Sequence, residues 1–499
     1  MFYICKNLFA LCKVDLCQAY EQSLKIQKLR EAIVKHQNKV HLKGAVGADL
    51  SITISQIFNN QNQPFLLVFE SKEIAAFHLN DLEKLLPEKS VLFYPGSYRR
   101  PYEIEQTDNA NVLLRSEVLN RIISQKKPSV IVTYHHALFE KVLSKKDLNK
   151  NTLQISVGDL LSIDFINNVL FENEFKRVDF VTEPGEFSIR GGLVDVFSFS
   201  NDKPYRIEFF GDEVESIRSF DIANQRSLKT HKKFQVIPNI EYKFKGENRV
   251  GFLEYIPTNT VLWVQGLTAL FKTTDSLFEK SKKVYLSLSK AIQHSGPEAL
   301  FCRSENFLKA VSKFSLVEIG SDPFFNFSPK DIIEVNVSPQ PAFNKQFNLL
   351  IEDLNQKHLA GFENYICCAN KQQVQRFHDI FQEHNTAVHY KTLVLSLHQG
   401  FVNYDQKISC YTDHQIFERY HKFNLKNGYA KKQALSLREL NSLELGDYVT
   451  HIDHGIGKFG GLKKIEVEGK SQEAIKLFYG ERDILYLSIH SLHKITKFN

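Results

Sequence analysis

Nucleotide phosphate binding is the first chemistry that the sequence raises and then withdraws. Gly44-Ala45-Val46-Gly47-Ala48-Asp49-Leu50-Ser51 lies between two apolar runs, as a phosphate-binding loop of the form G-x-x-x-x-G-K-[ST] would. In such a loop the glycines bring backbone N–H groups onto phosphate, the lysine meets the terminal phosphates, and the Ser or Thr holds a metal. Gly44 and Ser51 keep the spacing, but Asp49 stands at the second essential glycine and Leu50 at the lysine. An acid would face the phosphates and no cation would meet them. The loop (Gly44, Gly47, Asp49, Leu50, Ser51) therefore reads as a vestige that holds no nucleotide. No D-E-x-[DH] segment offers a carboxylate for magnesium. His451-Ile452-Asp453-His454 gathers ligand types in one tight turn but lacks a fourth, and reads as a turn held by side-chain hydrogen bonds. No catalytic residue and no metal site is expected.

A second constellation has the character of a docking surface. In Tyr205-Arg206-Ile207-Glu208-Phe209-Phe210, alternate residues of a strand face opposite sides. Tyr205, Ile207 and Phe209 share the inward face; Arg206, Glu208 and Phe210 share the other. A Phe beside Arg on a charged face is either an interface anchor or a side chain covered by a neighbouring loop. Residues 151–238 hold ten Lys and Arg against fourteen Asp and Glu, a net of −4. That balance suits a protein partner better than a nucleic acid. Near the C-terminus, Gly455, Gly457, Gly460 and Gly461 permit tight bends. Lys463-Lys464-Ile465-Glu466-Val467 then alternates, with Ile465 and Val467 on one face. Such a strand either adds its edge to a partner's sheet or is an ordinary barrel strand with Ile465 in the core.

The elements that must position these residues follow from periodicity. Residues 18–36 carry apolar residues at helical spacing. VHLKGAVGADLSITISQIF is a strand, turn and helix, PFLLVFE and PSVIVTYHHAL are buried strands, and VLFYPGSYRRPYE is a strand entering an aromatic loop. Strand alternating with helix predicts an α/β layer over 1–150. From 151 to 238 the pattern is β-rich, with turns at Pro184-Gly185, Gly191-Gly192, Asn201-Asp202 and Gly211-Asp212. An α/β pattern returns over 239–335. A small α/β domain with a basic connector (Arg419, Lys422, Lys426, Lys431, Lys432, Arg438) occupies 336–440, and a small closed β-barrel occupies 441–499. The fold class is thus multidomain α/β.

Composition sets the limits. The chain has 499 residues, 43% of them hydrophobic and 24% charged, which suits several globular cores. A net charge of +6 on this length is mild and gives no nucleic-acid footprint without clustering. Seven cysteines without a C-x-x-C pair fit reduced thiols in a cytosol. No apolar run reaches the roughly 20 residues that span a bilayer, so no membrane is expected. The apolar start, interrupted by Lys6 and Lys13, reads as an extra N-terminal turn or a start-site artefact, with a signal peptide as the alternative.

EPGEFSIRGGLVDVFSFSNDKPYRIEFFGDEVESIRSFDIANQRSL closely resembles the region shared by UvrB, the excision-repair helicase subunit, and the bacterial transcription-repair coupling factors. GAVGADLS resembles a decayed UvrB phosphate loop. GDYVTHIDHGIGKFGGL resembles the polymerase-interacting domain that coupling factors share with CarD-type regulators. The segment holding Tyr94, Tyr98 and Tyr102 has little room for the DNA-clamping hairpin of UvrB, which favours the coupling factor. The resemblance implies a degenerate UvrB-like/RecA-like α/β module with an inserted UvrA-binding domain, a small α/β domain and an SH3/Tudor-like barrel. It implies UvrA contacts at Arg190, Arg206 and Phe210, and contacts to the β-subunit of RNA polymerase at Lys463, Lys464 and Ile465. It also implies that ATP, magnesium and most DNA contact belong to a motor beyond residue 499, so that this chain is a fragment or an incomplete gene product in the cytoplasm. The alternatives are a UvrB-like ATPase subunit acting on damaged DNA and a free-standing CarD-type regulator.

Overall fold

In the computed structural model the described residues are 16, 18–35, 38–88, 90–97, 109–124, 127–222, 225–237, 248–288, 295–384, 387–419, 445–451, 454–467, 470–480, 483–488 and 495–497. Tyr98 and Tyr102, residues 1–15 and the basic connector beyond Arg419 lie outside them. The chain divides into two compact units, Met1–Asn149 with Ile240–Leu425, and Lys150–Asn239 with Lys426–Asn499.

The first unit is built on a seven-stranded, wholly parallel sheet. Its order is Ile332–Glu334, Lys39–Lys43, Ser315–Ile319, Val261–Gln265, Phe65–Phe69, Val130–Tyr134 and Val91–Phe93. FLLVF and VIVTY are buried at every position, as strands covered on both faces must be. Lys39–Lys43 turns through Gly44 and Gly47 into the helix Ala48–Asn59, which is buried from Ala48 to Phe58. The same unit carries a five-stranded mixed sheet over 337–412, ordered Val337–Pro339, Phe401–Asn403, Ile408–Thr412, Glu363–Cys368 and Lys391–Val394. Helices Phe347–Leu359 and Lys371–Glu383 cover it, with Leu350, Leu354, Ile366 and Phe377 in the core.

In the second unit, residues 150–239 form a six-stranded sheet. It runs Ser227–His231, Glu213–Phe220, Tyr205–Phe210, Leu193–Val196, Glu186–Arg190 and Lys176–Arg177, antiparallel except for the last pairing. Helix Ile163–Glu172 begins at Ser162, whose hydroxyl accepts from the Phe165 N–H at 3.1 Å. It turns Ile166 and Leu170 inward. The C-terminal part is a five-stranded antiparallel sheet in the order Asp483–Ser488, Lys470–Tyr479, Gly455–Val467, Tyr448–His451 and Ile495–Lys497. Val449, Phe459, Ile475, Leu477 and Ile495 form its core. A bulge at Gly460-Gly461 bends its long strand. Among the described residues its two outermost strands do not pair, so the hydrogen-bonded ladder is open. Among the described residues no helix is long and apolar enough to cross a membrane.

Candidate functional sites

The segment Gly44–Ser51 is packed against other parts of the protein. The Ala48 N–H, which in a working loop would face phosphate, donates to the Gln399 carbonyl at 3.2 Å. Gly44 has φ +88°, and a Cβ there would lie 2.1 Å from the Val335 carbonyl oxygen, so the first glycine answers a close backbone crossing. Asp49 is turned into the protein. It is 1% exposed, and one carboxylate oxygen accepts from the Tyr20 hydroxyl and from Asn403 Nδ2, the latter at 2.8 Å. Burial pushes its carboxyl up to about 6, against the pull of those two donors. Leu50 is core.

Ser51, the metal-binding position of a working loop, bonds His78 Nδ1 at 2.8 Å instead. Burial, then the nearby His398, pushes His78 down to about 3, so it is held neutral. His398 joins Asp81 through its backbone N–H at 2.8 Å and its Nδ1 at 2.6 Å. Burial raises the Asp81 carboxyl, but His398 outweighs it and holds the group below its usual range. His78, Asp81 and His398 each bring one ligand-type atom within 4.8 Å of the others. Both Asp81 oxygens are already committed to His398, so the cluster works as a hydrogen-bonded joint between helix Lys72–Leu85 and the 395–403 segment. Neither the histidines nor Asp81 stood out in the sequence, because their partner lies more than 300 residues away.

The predicted docking face is one side of the six-stranded sheet. Ile207 and Phe209 are buried, while Phe210 is 80% exposed, which excludes a covering loop. Cross-strand register aligns Ser188, Asp195, Arg206 and Arg218 in a row. Arg190 shares that face, two residues along from Ser188 and one step before the two-residue Gly191-Gly192 turn. A Cβ on Gly192 would lie 2.9 Å from the Phe209 carbonyl oxygen. Asp195, 1% exposed, accepts from Arg206 Nε at 2.7 Å and Nη2 at 2.8 Å, and also from Arg190 Nη2. That bond to Asp195 raises the Arg206 pKa above its usual value. Arg206 lies 4.7 Å from the centre of the Phe220 ring, and Arg190 5.1 Å from that of Phe180. Glu208 takes Arg218 and the Ser216 hydroxyl. Arg190, Arg206 and Phe210 are therefore brought to one face. The sequence reading missed Asp195 and Phe180; the placement of Asp195 across from Arg206 depends on strand register, which the sequence alone does not fix.

On the C-terminal sheet, Gly455–Val467 pairs Tyr448–His451 only along its first part. Beyond Phe459 one edge has no strand partner among the described residues, while the other pairs Lys470–Tyr479. Lys463, Lys464 and Ile465 lie on that half-open stretch. Lys463 is exposed; the side chains of Lys464 and Ile465 lie outside the described residues. His451 and His454 have ring centres 4.7 Å apart. Of the basic connector only Arg419 is described, and it pairs with Asp413 at 3.2 Å.

Family comparison assigns both surfaces to recognised domain classes. Residues 153–242 match the UvrB interaction domain, and residues 443–499 match the CarD-like/TRCF RID domain. The chain as a whole resembles transcription-repair-coupling factors. It is 25% identical to that of Bacillus subtilis (strain 168) over 92% of this chain and 45% of the relative. Identity is 25% with that of Rickettsia typhi, over 89% of this chain and 44% of the relative. With that of Myxococcus xanthus it is 23%, over 92% of this chain and 46% of the relative. The chain thus spans less than half the length of these relatives.

The filled loop predicts a pH signature. Asp49 holds its proton more tightly folded, at about 6, than at its ordinary value of 3.8. The stability it contributes is therefore full below pH 4 and lost as pH rises to 6, about 3 kcal/mol in all. Asp49→Asn keeps an oxygen for Tyr20 and Asn403 and removes that loss. Urea unfolding followed by Trp263, the single, fully buried tryptophan, should show the variant gaining on the native chain between pH 4 and 6. The cost of charging His78 cancels in the comparison. A difference that does not move with pH would contradict the buried placement of Asp49.

Proposed function

We propose that this chain acts in transcription-coupled DNA repair as a recruitment platform, taking UvrA on its 150–239 sheet and stalled RNA polymerase on its C-terminal sheet. One observation carries the reading: the two domain matches fall on the two surfaces that the fold leaves ready to bind. The 153–242 match covers the face bearing Arg190, Arg206 and Phe210, and the 443–499 match covers the half-open strand Gly455–Val467.

Each surface suits a different mode of binding. Phe210 is an apolar anchor whose burial by UvrA supplies the hydrophobic term, flanked by guanidinium donors that give direction. The Gly455–Val467 edge offers backbone N–H and C=O groups to the β-subunit of RNA polymerase, with Lys463, Lys464 and Ile465 reading its side chains. In this reading the C-terminal sheet curls into an SH3/Tudor-like barrel, and the seven-stranded unit is a UvrB-like/RecA-like module that has lost its nucleotide. The setting is the bacterial cytoplasm. ATP-driven translocation on DNA belongs to the whole coupling factor and not to residues 44–51, where Asp49 and Leu50 replace glycine and lysine. The UvrB-like ATPase reading is disfavoured for the same reason, and because the Gln399 carbonyl already holds the Ala48 N–H.

Two experiments test the surfaces separately. Arg206→Ala with Phe210→Ala should weaken UvrA capture by about 2 kcal/mol or more while polymerase capture persists; undiminished UvrA capture would contradict the face. Ile465→Arg should abolish polymerase capture while UvrA capture persists and the sheet stays folded by circular dichroism. Retained polymerase capture would contradict the strand.

A further inference from the structure

We infer that Asp195 is a positioning residue for the partner-binding arginines: its buried carboxylate sets the direction in which Arg190 and Arg206 offer their remaining N–H groups. The inference rests on the proposed UvrA docking at this face.

Asp195 lies on Leu193–Val196, between the strands that carry the two arginines, and register places it directly across from Arg206 and from Ser188. It spends both oxygens on guanidinium groups. Arg206 is taken along its Nε/Nη2 edge, a bidentate fork that fixes the plane of the group. Nη1, at the far end, donates to the Gln225 carbonyl at 3.4 Å. Arg190 is taken by Nη2 alone and is further steadied over Phe180. The exposure of the side chains grades from Asp195 at 1%, through Arg206 at 17%, to Arg190 at 37%. The acid is thus beneath the arginines and not beside them, out of a partner's reach.

Two consequences follow from the charges. The trio carries one net positive charge in place of two, so it favours an acidic partner group without the mutual repulsion of two free guanidinium ions. Long arginine side chains lose rotamer freedom on binding; here much of that loss is already incurred on folding, so less is charged to association. An acidic side chain of the partner meets guanidinium groups whose planes are already fixed, with Arg190 the more exposed of the two. Phe210, exposed on the same face two residues beyond Glu208, supplies the apolar contact.

A double-mutant cycle distinguishes positioning from a general structural role. UvrA affinity is measured for the full chain, for Asp195→Asn, for Arg190→Ala with Arg206→Ala, and for the triple variant, with thermal unfolding and polymerase capture as folding controls. Positioning predicts that Asp195→Asn weakens UvrA binding about tenfold in the native background and changes it less than about twofold when both arginines are gone. Equal weakening in both backgrounds would show that Asp195 acts through the fold, and would overturn the inference. Arg206→Lys keeps the charge but cannot form the fork, and stays informative if Asp195→Asn unfolds. It should also lose about tenfold, and native affinity for it would overturn the inference. If removing both arginines leaves UvrA affinity unchanged, the docking face itself is wrong and the inference falls with it.

Discussion

A helix buried on every side must have its first N–H groups answered from inside the protein. Helix Ala48–Asn59 is in that position, and the way its amino end is satisfied constrains the whole first unit. In a nucleotide-binding relative of this architecture, phosphate would answer those groups. Here the Gln399 carbonyl takes the Ala48 N–H, while around it Asn403 and Tyr20 donate to the Asp49 carboxylate, Ser51 bonds His78, and Asp81 bonds His398. Asp49 through Asn403, and the Ala48 N–H through the Gln399 carbonyl, tie the segment that ends in strand Phe401–Asn403 to the helix that follows Lys39–Lys43.

The second unit uses charge in the opposite sense. Around Asp49 a carboxyl is buried among neutral donors and its proton becomes hard to remove. Around Asp195 a carboxylate is buried beneath two guanidinium groups that take both of its oxygens and carry their charge toward the surface. The first arrangement seals an interior; the second builds a face. That face carries a largely exposed aromatic ring, which a folded domain keeps in water where binding repays it.

Much of this could be read from the residues. The alternation in Tyr205–Phe210 placed Phe210 outward, because a strand of period two leaves no other choice once Ile207 and Phe209 are inside. The apolar runs FLLVF and VIVTY announced buried strands of an α/β layer. The identities at 49 and 50 already argued against a working phosphate loop. Three things were not legible. Asp195 belongs to a contact between strands whose register no single sequence fixes. The joint of His78, Asp81 and His398 joins positions more than 300 residues apart. The surroundings of Asp49 come from Gln399 and Asn403, which only tertiary structure brings to the loop. In each case the missing information was which distant segment comes to rest there.

In the proposed function, two independent docking surfaces on one chain connect polymerase to the repair machinery. The direct measurement is retention of UvrA on immobilised bacterial RNA polymerase, with and without this chain, in the absence of ATP. The account predicts that UvrA is retained only when the chain is present, in an amount that follows the chain bound. UvrA washing through while the chain stays on the polymerase, or a chain that polymerase does not hold, would contradict it.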